Sequence, residues 1–212
     1  MTRSKNTRER LLDTAIDLIW KSNYTRVGVN EICKAAGVTK GGFYHHFETK
    51  ADLFYEASVH HWEQKKHELD EVFSARYTPI EQLENLVNHI LAYQTEEELG
   101  DDNPVSGCPF FTSGAQVGTG EDKVRQAGQL MCQNAQKYDE ALVRGLQSGG
   151  YLNSECDPRQ VARILLQYVQ GLLLYGRTFY DLEVVKADIR EGLYRILDVK
   201  AEYRAVAQPK AA

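Results

Sequence analysis

Apolar residues recur along this chain at spacings of three and four. Leu11, Leu12, Ala15, Ile16 and Ile19 mark one face of a first helix that begins near Thr7. The stretch NYTRVGV interrupts the pattern. NEICKAAG then reads as a short second helix with Ile32, Cys33 and Ala36 inward and Gly37 as a left-handed stop. VTK is a three-residue turn in which Thr39 is placed to cap a third helix, KGGFYHHF. Thr49 caps a long fourth helix that runs to about Ser74. Thr78-Pro79-Ile80-Glu81 and Asp157-Pro158-Arg159-Gln160 both carry a capping residue followed by proline at the first helical position. They open helices whose inward stripes are Ile80, Leu83, Val87, Ile90, Leu91 and Val161, Ile164, Leu165, Tyr168, Val169, Leu172, Leu173. Between them a helix over about 121–148 turns Val124, Ala127, Met131, Ala135, Tyr138 and Leu142 inward, and a last helix covers about 184–199. No run alternates as a strand would, so the fold class is all-α with about nine helices. The tail 204–212 reads as loose.

Residues 100–122, GDDNPVSGCPFFTSGAQVGTGED, break the helical rhythm. They hold five of the sixteen glycines and two of the five prolines, and read as a long loop or a loop around one short helix. Irregular segments of this length in compact domains often carry function.

Composition adds three constraints. Charged residues are 26% and apolar ones 42% of the 212, the balance of a soluble globular chain, and no apolar run could span a bilayer. The amino terminus lacks an apolar signal core, which points to the cytoplasm. Cys33, Cys108, Cys132 and Cys156 lie far apart, so neither a disulfide framework nor a zinc knuckle is expected. The net charge of −5 hides an asymmetry. Residues 1–50 carry nine Lys and Arg against five Asp and Glu, and the remaining 162 carry 16 against 25. A basic head on an acidic body confines any polyanion contact to the first fifty residues.

Phe43 and Phe47, four apart, share the face of the third helix that can pack on Leu12, Ile16 and Ile32. Lys40, Tyr44 and His45 then point away from that core, beside the bare surface of Gly41-Gly42. Helix, three-residue turn, helix is the arrangement whose second helix enters the major groove of DNA. Glycines at its start let the backbone approach the groove wall, Tyr44 can donate to a phosphate oxygen, and Lys50 can pair with a phosphate. A metal pair at His45-His46 is disfavoured, because adjacent helical residues diverge by about 100°. His60, His61, Glu63 and His67 read as one wet face of the fourth helix.

Residues 7–54, TRERLLDTAIDLIWKSNYTRVGVNEICKAAGVTKGGFYHHFETKADLF, resemble the N-terminal domain of TetR-family transcriptional repressors in order, spacing and residue type. The resemblance implies a three-helix helix-turn-helix DNA-binding domain over 1–52 and a larger helical ligand-binding and dimerisation domain over 53–203. It implies a homodimer through the last two helices, double-stranded operator DNA as partner, and a small-molecule or electrophile effector that lowers DNA affinity. Carried over by position, the DNA-facing residues are Asn30, Lys40, Gly41, Gly42, Tyr44, His45, His46 and Lys50, with Thr25 and Arg26 against phosphate. Packing roles for Tyr44 and His46, and a capping role for Asn30, are the competing readings.

Cys108, before Pro109, falls at a helix cap, where the helix dipole should lower its thiol pKa and make it reactive; a buried, inert thiol is the other reading. Ser106-Gly107-Cys108 resembles the TetR subgroup that responds to electrophiles, hypochlorite or acrylate-like compounds. In that subgroup leucine follows the cysteine and a lysine partners it; here Pro109 and Arg177 stand in those places. Reversible binding of a small ligand, an anion among the candidates, near Cys108, Phe110, Phe111, Tyr175 and Arg177 is therefore an equal expectation. No enzyme is expected: GTGEDK lacks the ending of a phosphate loop, no GxSxG or HExxH occurs, and no motif asks for a cofactor or metal. A helical dimerisation module without DNA is opposed by the basic amino-terminal balance.

Overall fold

A computed structural model of the chain describes residues 6–94, 105–116 and 122–204. Among them ten helices form, and an isolated antiparallel bridge joins Leu152 to Val199. The chain divides into two compact units. One holds Met1–Lys66, Glu98–Asp101 and Cys108–Cys132; the other holds His67–Glu97, Asp102–Gly107 and Gln133–Ala212. Of the expected loose tail 204–212, Arg204 ends a short helix and 205–212 lie outside the described residues, as do 100–104 and 117–121 of the glycine-rich segment.

The first unit opens with α1 (Thr7–Lys21), α2 (Val29–Ala36) and α3 (Lys40–His46). α1 starts where it does because Asn6 and Glu9 form a reciprocal cap. The Asn6 side chain accepts the Glu9 N–H at 2.9 Å, and the Glu9 carboxylate accepts the Asn6 N–H at 3.0 Å. The stripe Leu11, Leu12, Ala15, Ile16 and Ile19 is buried as its spacing requires. α2 ends at Gly37, whose φ of 64° suits a residue without Cβ, and the Val38 N–H closes back on the Cys33 carbonyl at 2.9 Å. Phe43 and Phe47, fully buried or nearly so, join Ile32 in the core beneath α1 and α2.

α4 (Lys50–Val72) and α7 (Asp122–Ser148) each begin in this unit and end in the other. Thr49 and Asp52 cap α4 reciprocally, with the Asp52 N–H on Thr49 Oγ1 at 3.0 Å and the Thr49 N–H on Asp52 Oδ2 at 2.9 Å. Asp52 also pairs with Lys123 in the first turn of α7, and that ammonium holds the Asp52 carboxyl below its usual range. Inside the glycine-rich segment one short helix forms, α6 (Pro109–Gln116).

The second unit contains α5 (Pro79–Gln94), α8 (Pro158–Phe179), α9 (Leu182–Ile196) and the one-turn α10 (Ala201–Arg204). Its core gathers Leu83 and Val87 of α5, Leu142 and Leu146 of α7, Leu165 and Leu173 of α8, and Val185, Ile189 and Leu193 of α9. α9 begins two residues earlier than its apolar spacing suggests, because the Asp181 side chain accepts the Val184 N–H at 3.1 Å. It ends earlier too, since the chain beyond Leu197 leaves the helix to pair with Tyr151, Leu152 and Asn153.

Between α5 and α9 the carboxylate of Glu84 accepts from Arg190 Nε at 2.9 Å and from the buried Tyr194 hydroxyl. A hydrogen bond to a charged group contributes about 1.5–3 kcal/mol. Glu84→Gln should therefore lower unfolding stability by about 2 kcal/mol in urea titration, with the helical circular-dichroism spectrum unchanged.

Candidate nucleic-acid interface and effector region

The turn between α2 and α3 presents α3. Thr39 Oγ1 accepts the Gly42 N–H at 3.1 Å, fixing the first turn, while Phe43 fills the core. The opposite face is left to solvent. Lys40, Gly41, Tyr44, His45 and His46 are exposed, and Gly42 is half-buried. Tyr44 is 57% exposed, its ring edge-on to Phe43 at 5.1 Å, so it is braced by the core without belonging to it. Thr25, Arg26 and Asn30 are exposed as well. Asn30 is not the cap of α2: that position is Gly28, which makes no side-chain cap bond.

Two features of this surface were not read from the sequence. The first is Asn23, whose Oδ1 takes the Thr25 hydroxyl at 2.6 Å and the Arg26 N–H at 2.9 Å, shaping the loop that carries both residues. Its signal, an Asn opening a turn in SNYTR, was available. The second is the place of Lys50. Its ammonium does not project freely toward a phosphate but donates to the carbonyls of Tyr24 at 2.9 Å and Val27 at 3.2 Å, and sits 4.0 Å over the Tyr24 ring. A cation at the start of α4 thus serves two carbonyls of the α1–α2 loop, so Lys50 clamps that loop.

Of the expected wet face of α4, Glu63 and His67 are exposed, whereas His60 and His61 depart from expectation. His60 lies 3.0 Å from Asp13 of α1, and the His61 ring packs against Trp20 and Phe110, at 5.4 and 5.3 Å between centroids; both are half-buried, not a wet face. Among the described residues no three or more His, Cys, Asp or Glu side chains gather as metal ligands would. No helix of the described residues is long and apolar enough to cross a membrane.

Cys108 does take the cap position of α6, with N–H groups of Phe111 and Phe110 directed at its sulfur. The expected consequence fails, however. Burial pushes the thiol up to about 11, and the two N–H donors recover only part of the shift. Phe110 is buried against Trp20 at 5.7 Å, His61 and Phe54, so it cements α6 into the first unit. α7 passes close beside it: a Cβ at Gly128 would meet the Phe110 carbonyl oxygen at 2.9 Å. Phe111 is half-buried.

The other two residues of the expected sensor cluster belong to the second unit. Arg177 Nη1 donates to the Val105 carbonyl at 2.8 Å and the Ser106 carbonyl at 3.1 Å, holding down the strand of chain before Gly107. Tyr175 is 51% exposed and stacks on Phe179 at 4.4 Å. With Ile164, Leu174 and Phe179 it makes an apolar outward face along α8.

The second unit does hold a cavity, of about 160 Å³, lined by Phe73 of α4, Leu86 and Ile90 of α5, Leu165 and Val169 of α8, and Asp139 of α7. Asp139 is only 9% exposed. Sequence reading missed it, although the sign was there: it lies four residues from Ala135 and three from Leu142, a charge on the inward stripe of α7.

Comparison with known proteins bears on both regions. Residues 11–57 match the profile of bacterial regulatory proteins of the tetR family, and residues 79–190 match that of the tetracyclin repressor-like C-terminal domain. The HTH-type transcriptional regulator AcrR of Shigella flexneri is 27% identical over 191 residues, covering 85% of this chain and 84% of that protein. The HTH-type transcriptional repressor NemR of Escherichia coli K12 is 28% identical over 193 residues, covering 87% and 92%. A cysteine-substituted form of the TetR family transcriptional regulator CifR, solved with 26-base-pair operator DNA, has the same fold: TM-score 0.74 at 20% identity, over 91% of this chain and 97% of that one.

The environment of Cys108 sets its reactivity. A thiol titrating near 11 has roughly a hundredfold less thiolate at neutral pH than one near 9, partly offset by the greater nucleophilicity of the more basic sulfur. Alkylation of Cys108 by iodoacetamide at pH 7.5, followed by peptide mass spectrometry, should run about tenfold slower than that of an exposed cysteine. A rate equal to or above the exposed thiol would restore the reactive-cysteine reading.

Proposed function

The chain belongs to the TetR family of bacterial transcriptional regulators, and from that premise we propose that it is a repressor that holds a palindromic operator as a homodimer and releases it when an effector binds the carboxy-terminal domain. The observation that carries the DNA-binding part is the exposed face of α3, with Lys40, Gly41, Tyr44, His45 and His46 turned outward by the burial of Phe43. In this reading α3 lies in the major groove and Lys40 meets base edges at its amino-terminal turn. Tyr44, Thr25 and Arg26 hold phosphates, and Gly42 and His46 border the groove wall. Asn30 supports the approach from α2. Lys50 acts from behind, by fixing the loop that bears Thr25 and Arg26. CifR, which has the same fold, is solved with operator DNA, and this supports the DNA-binding part of the reading.

A twofold assembly is supported by α8. Its outward face carries Leu174 at 48% exposure and Phe179 at 62%, beside Ile164 and Tyr175. Gly171 on the same face has open space around it, room for a second helix to come close. Apolar area of this kind along one helix is what an isologous interface buries. Two α3 helices presented by such a dimer can meet major grooves about 34–36 Å apart.

The effector reading moves away from thiol chemistry. A half-buried Cys108 at the cap of α6, its thiol pushed up by its surroundings, supports a packing role, and reversible binding becomes the favoured mode of release.

Operator binding tests the first part. Lys40→Ala should cost about 1–3 kcal/mol on the cognate duplex and much less on random sequence, because a base contact is lost. Tyr44→Phe should weaken both duplexes alike by about two- to tenfold, one hydrogen bond to phosphate. An equal loss on both duplexes for Lys40→Ala removes it from base readout. For the second part, sedimentation at micromolar concentration should give the dimer mass. Leu174→Glu should raise the dimer dissociation constant about tenfold or more, an unpaired charge being buried in the interface; a wild-type chain that stays monomeric ends the mechanism.

A further inference from the structure

The carboxylate of Asp139 poses a problem of solvation. It belongs to the middle of α7, is nine-tenths buried, and is offered no hydrogen bond or ion pair by the described residues. A carboxylate so placed is costly unless something of opposite charge meets it. The remainder of the cavity wall is chiefly aliphatic and aromatic. Three other polar side chains reach it: His89 of α5, Gln170 of α8, and Tyr138, whose hydroxyl is already given to Asp70 at 2.6 Å. None supplies a permanent positive charge. The volume of about 160 Å³ is close to that of an engineered apolar cavity of about 150 Å³ that takes up benzene.

We propose that this cavity is a receptor for a compact apolar ammonium ion, a molecule of about benzene size bearing one protonated amine, with Asp139 as its counter-ion and the leucine, isoleucine, valine and phenylalanine side chains around its body. The apolar part supplies binding without direction, and the lone carboxylate supplies orientation and the choice of charge. An anion of the same size is rejected by the same group, so the small-anion effector considered from the sequence has no place here. The proposal rests on the reading that an effector acts through the carboxy-terminal domain, since it names the chemistry of that effector.

The pH dependence has a defined sign. Burial raises the Asp139 carboxyl to about 7 in the empty cavity. It must ionise to receive an ammonium, so binding releases a proton below that value and affinity climbs as pH rises. From pH 6 to pH 8 affinity should increase about tenfold and then level off, until the amine itself loses its proton. His89 of α5 faces the same cavity. Tyr138, pushed up to about 12 by burial and by Asp70, stays neutral throughout.

Calorimetric titration of the DNA-free full chain at pH 8 tests the proposal, with benzylamine, benzyl alcohol and benzoate as probes. Benzylamine should bind about tenfold or more tighter than benzyl alcohol, as a charge-assisted hydrogen bond allows, and benzoate should not bind. Asp139→Asn, which keeps the shape and removes the buried charge, should bring benzylamine and the like-shaped benzyl alcohol to within about threefold of each other and flatten the rise in benzylamine affinity between pH 6 and pH 8. Benzyl alcohol binding as well as benzylamine, the same preference persisting in Asp139→Asn, or no probe binding at all would each overturn the proposal. Release of operator by benzylamine is measured separately. Amine binding without release would leave the receptor standing and refute the effector reading, while release by other compounds with no amine binding would do the reverse.

Discussion

The burial of two phenylalanines four residues apart governs the amino-terminal part of this molecule. Phe43 and Phe47 are too large to leave in water, and on a helix of seven residues they fix its rotation. Once they are inward, Lys40, Tyr44 and His45 have no direction but outward. The Thr39 cap and the left-handed Gly37 set the angle at which α3 leaves α2, so the exposed row is presented rigidly rather than on a mobile loop. The outward face of α3 is thus specified by what it hides. This is why adjacent residues on α3 differ so sharply in exposure, and why a helix too short to be stable alone is stable here.

Much of this could be read from residue order. The inward stripe of α1, the caps at Thr39, Thr49 and Asp157, and the outward row on α3 follow from local spacing and turn chemistry, and the structure reproduces each. What spacing does not encode is where a long side chain ends. Lys50 was legible as a basic residue beside the recognition helix. Its bonds to Tyr24 and Val27 depend on a loop 23–26 residues earlier in the chain, and no local pattern announces them. The start of α9 at Asp181 was hidden for a simpler reason, because an aspartate after YGRTFY resembles any loop acid until its cap bond is formed.

Cys108 and Asp139 make the complementary point about solvation. The capping position of Cys108 was legible, and the N–H groups point at its sulfur as the dipole argument demands. The sequence gives no measure of how much protein surrounds that sulfur, and burial outweighs two N–H donors. Asp139 is the reverse case, an acid that looked like one more charge in an acidic stretch until α7 turned it inward. In both residues the helix geometry was predictable and the dielectric around it was not, which is a general limit on reading reactive or ligand-binding groups from pattern.

The long helices α4 and α7 offer the proposed release a route, since each begins in one unit and ends in the other. Asp139 and Phe73, on the cavity wall, lie on the later parts of α7 and α4. The first turns of those same helices are joined in the other unit by the Asp52–Lys123 pair, and Asp52 caps the helix that begins with Lys50. Within that unit the rings of Phe110, Phe54 and Tyr24 touch in sequence, and the carbonyl of Tyr24 holds Lys50. Interiors packed in this way are stiff and deform in discrete rearrangements. A ligand that preferred one position of α4 relative to α7 would strain the Asp52–Lys123 pair and, through Lys50, the loop bearing Thr25 and Arg26. Its leverage on DNA affinity could not exceed its preference between the two positions. A buried carboxylate that a cation neutralises gives such a preference a physical source, because the empty cavity is penalised for charge and the filled one is not.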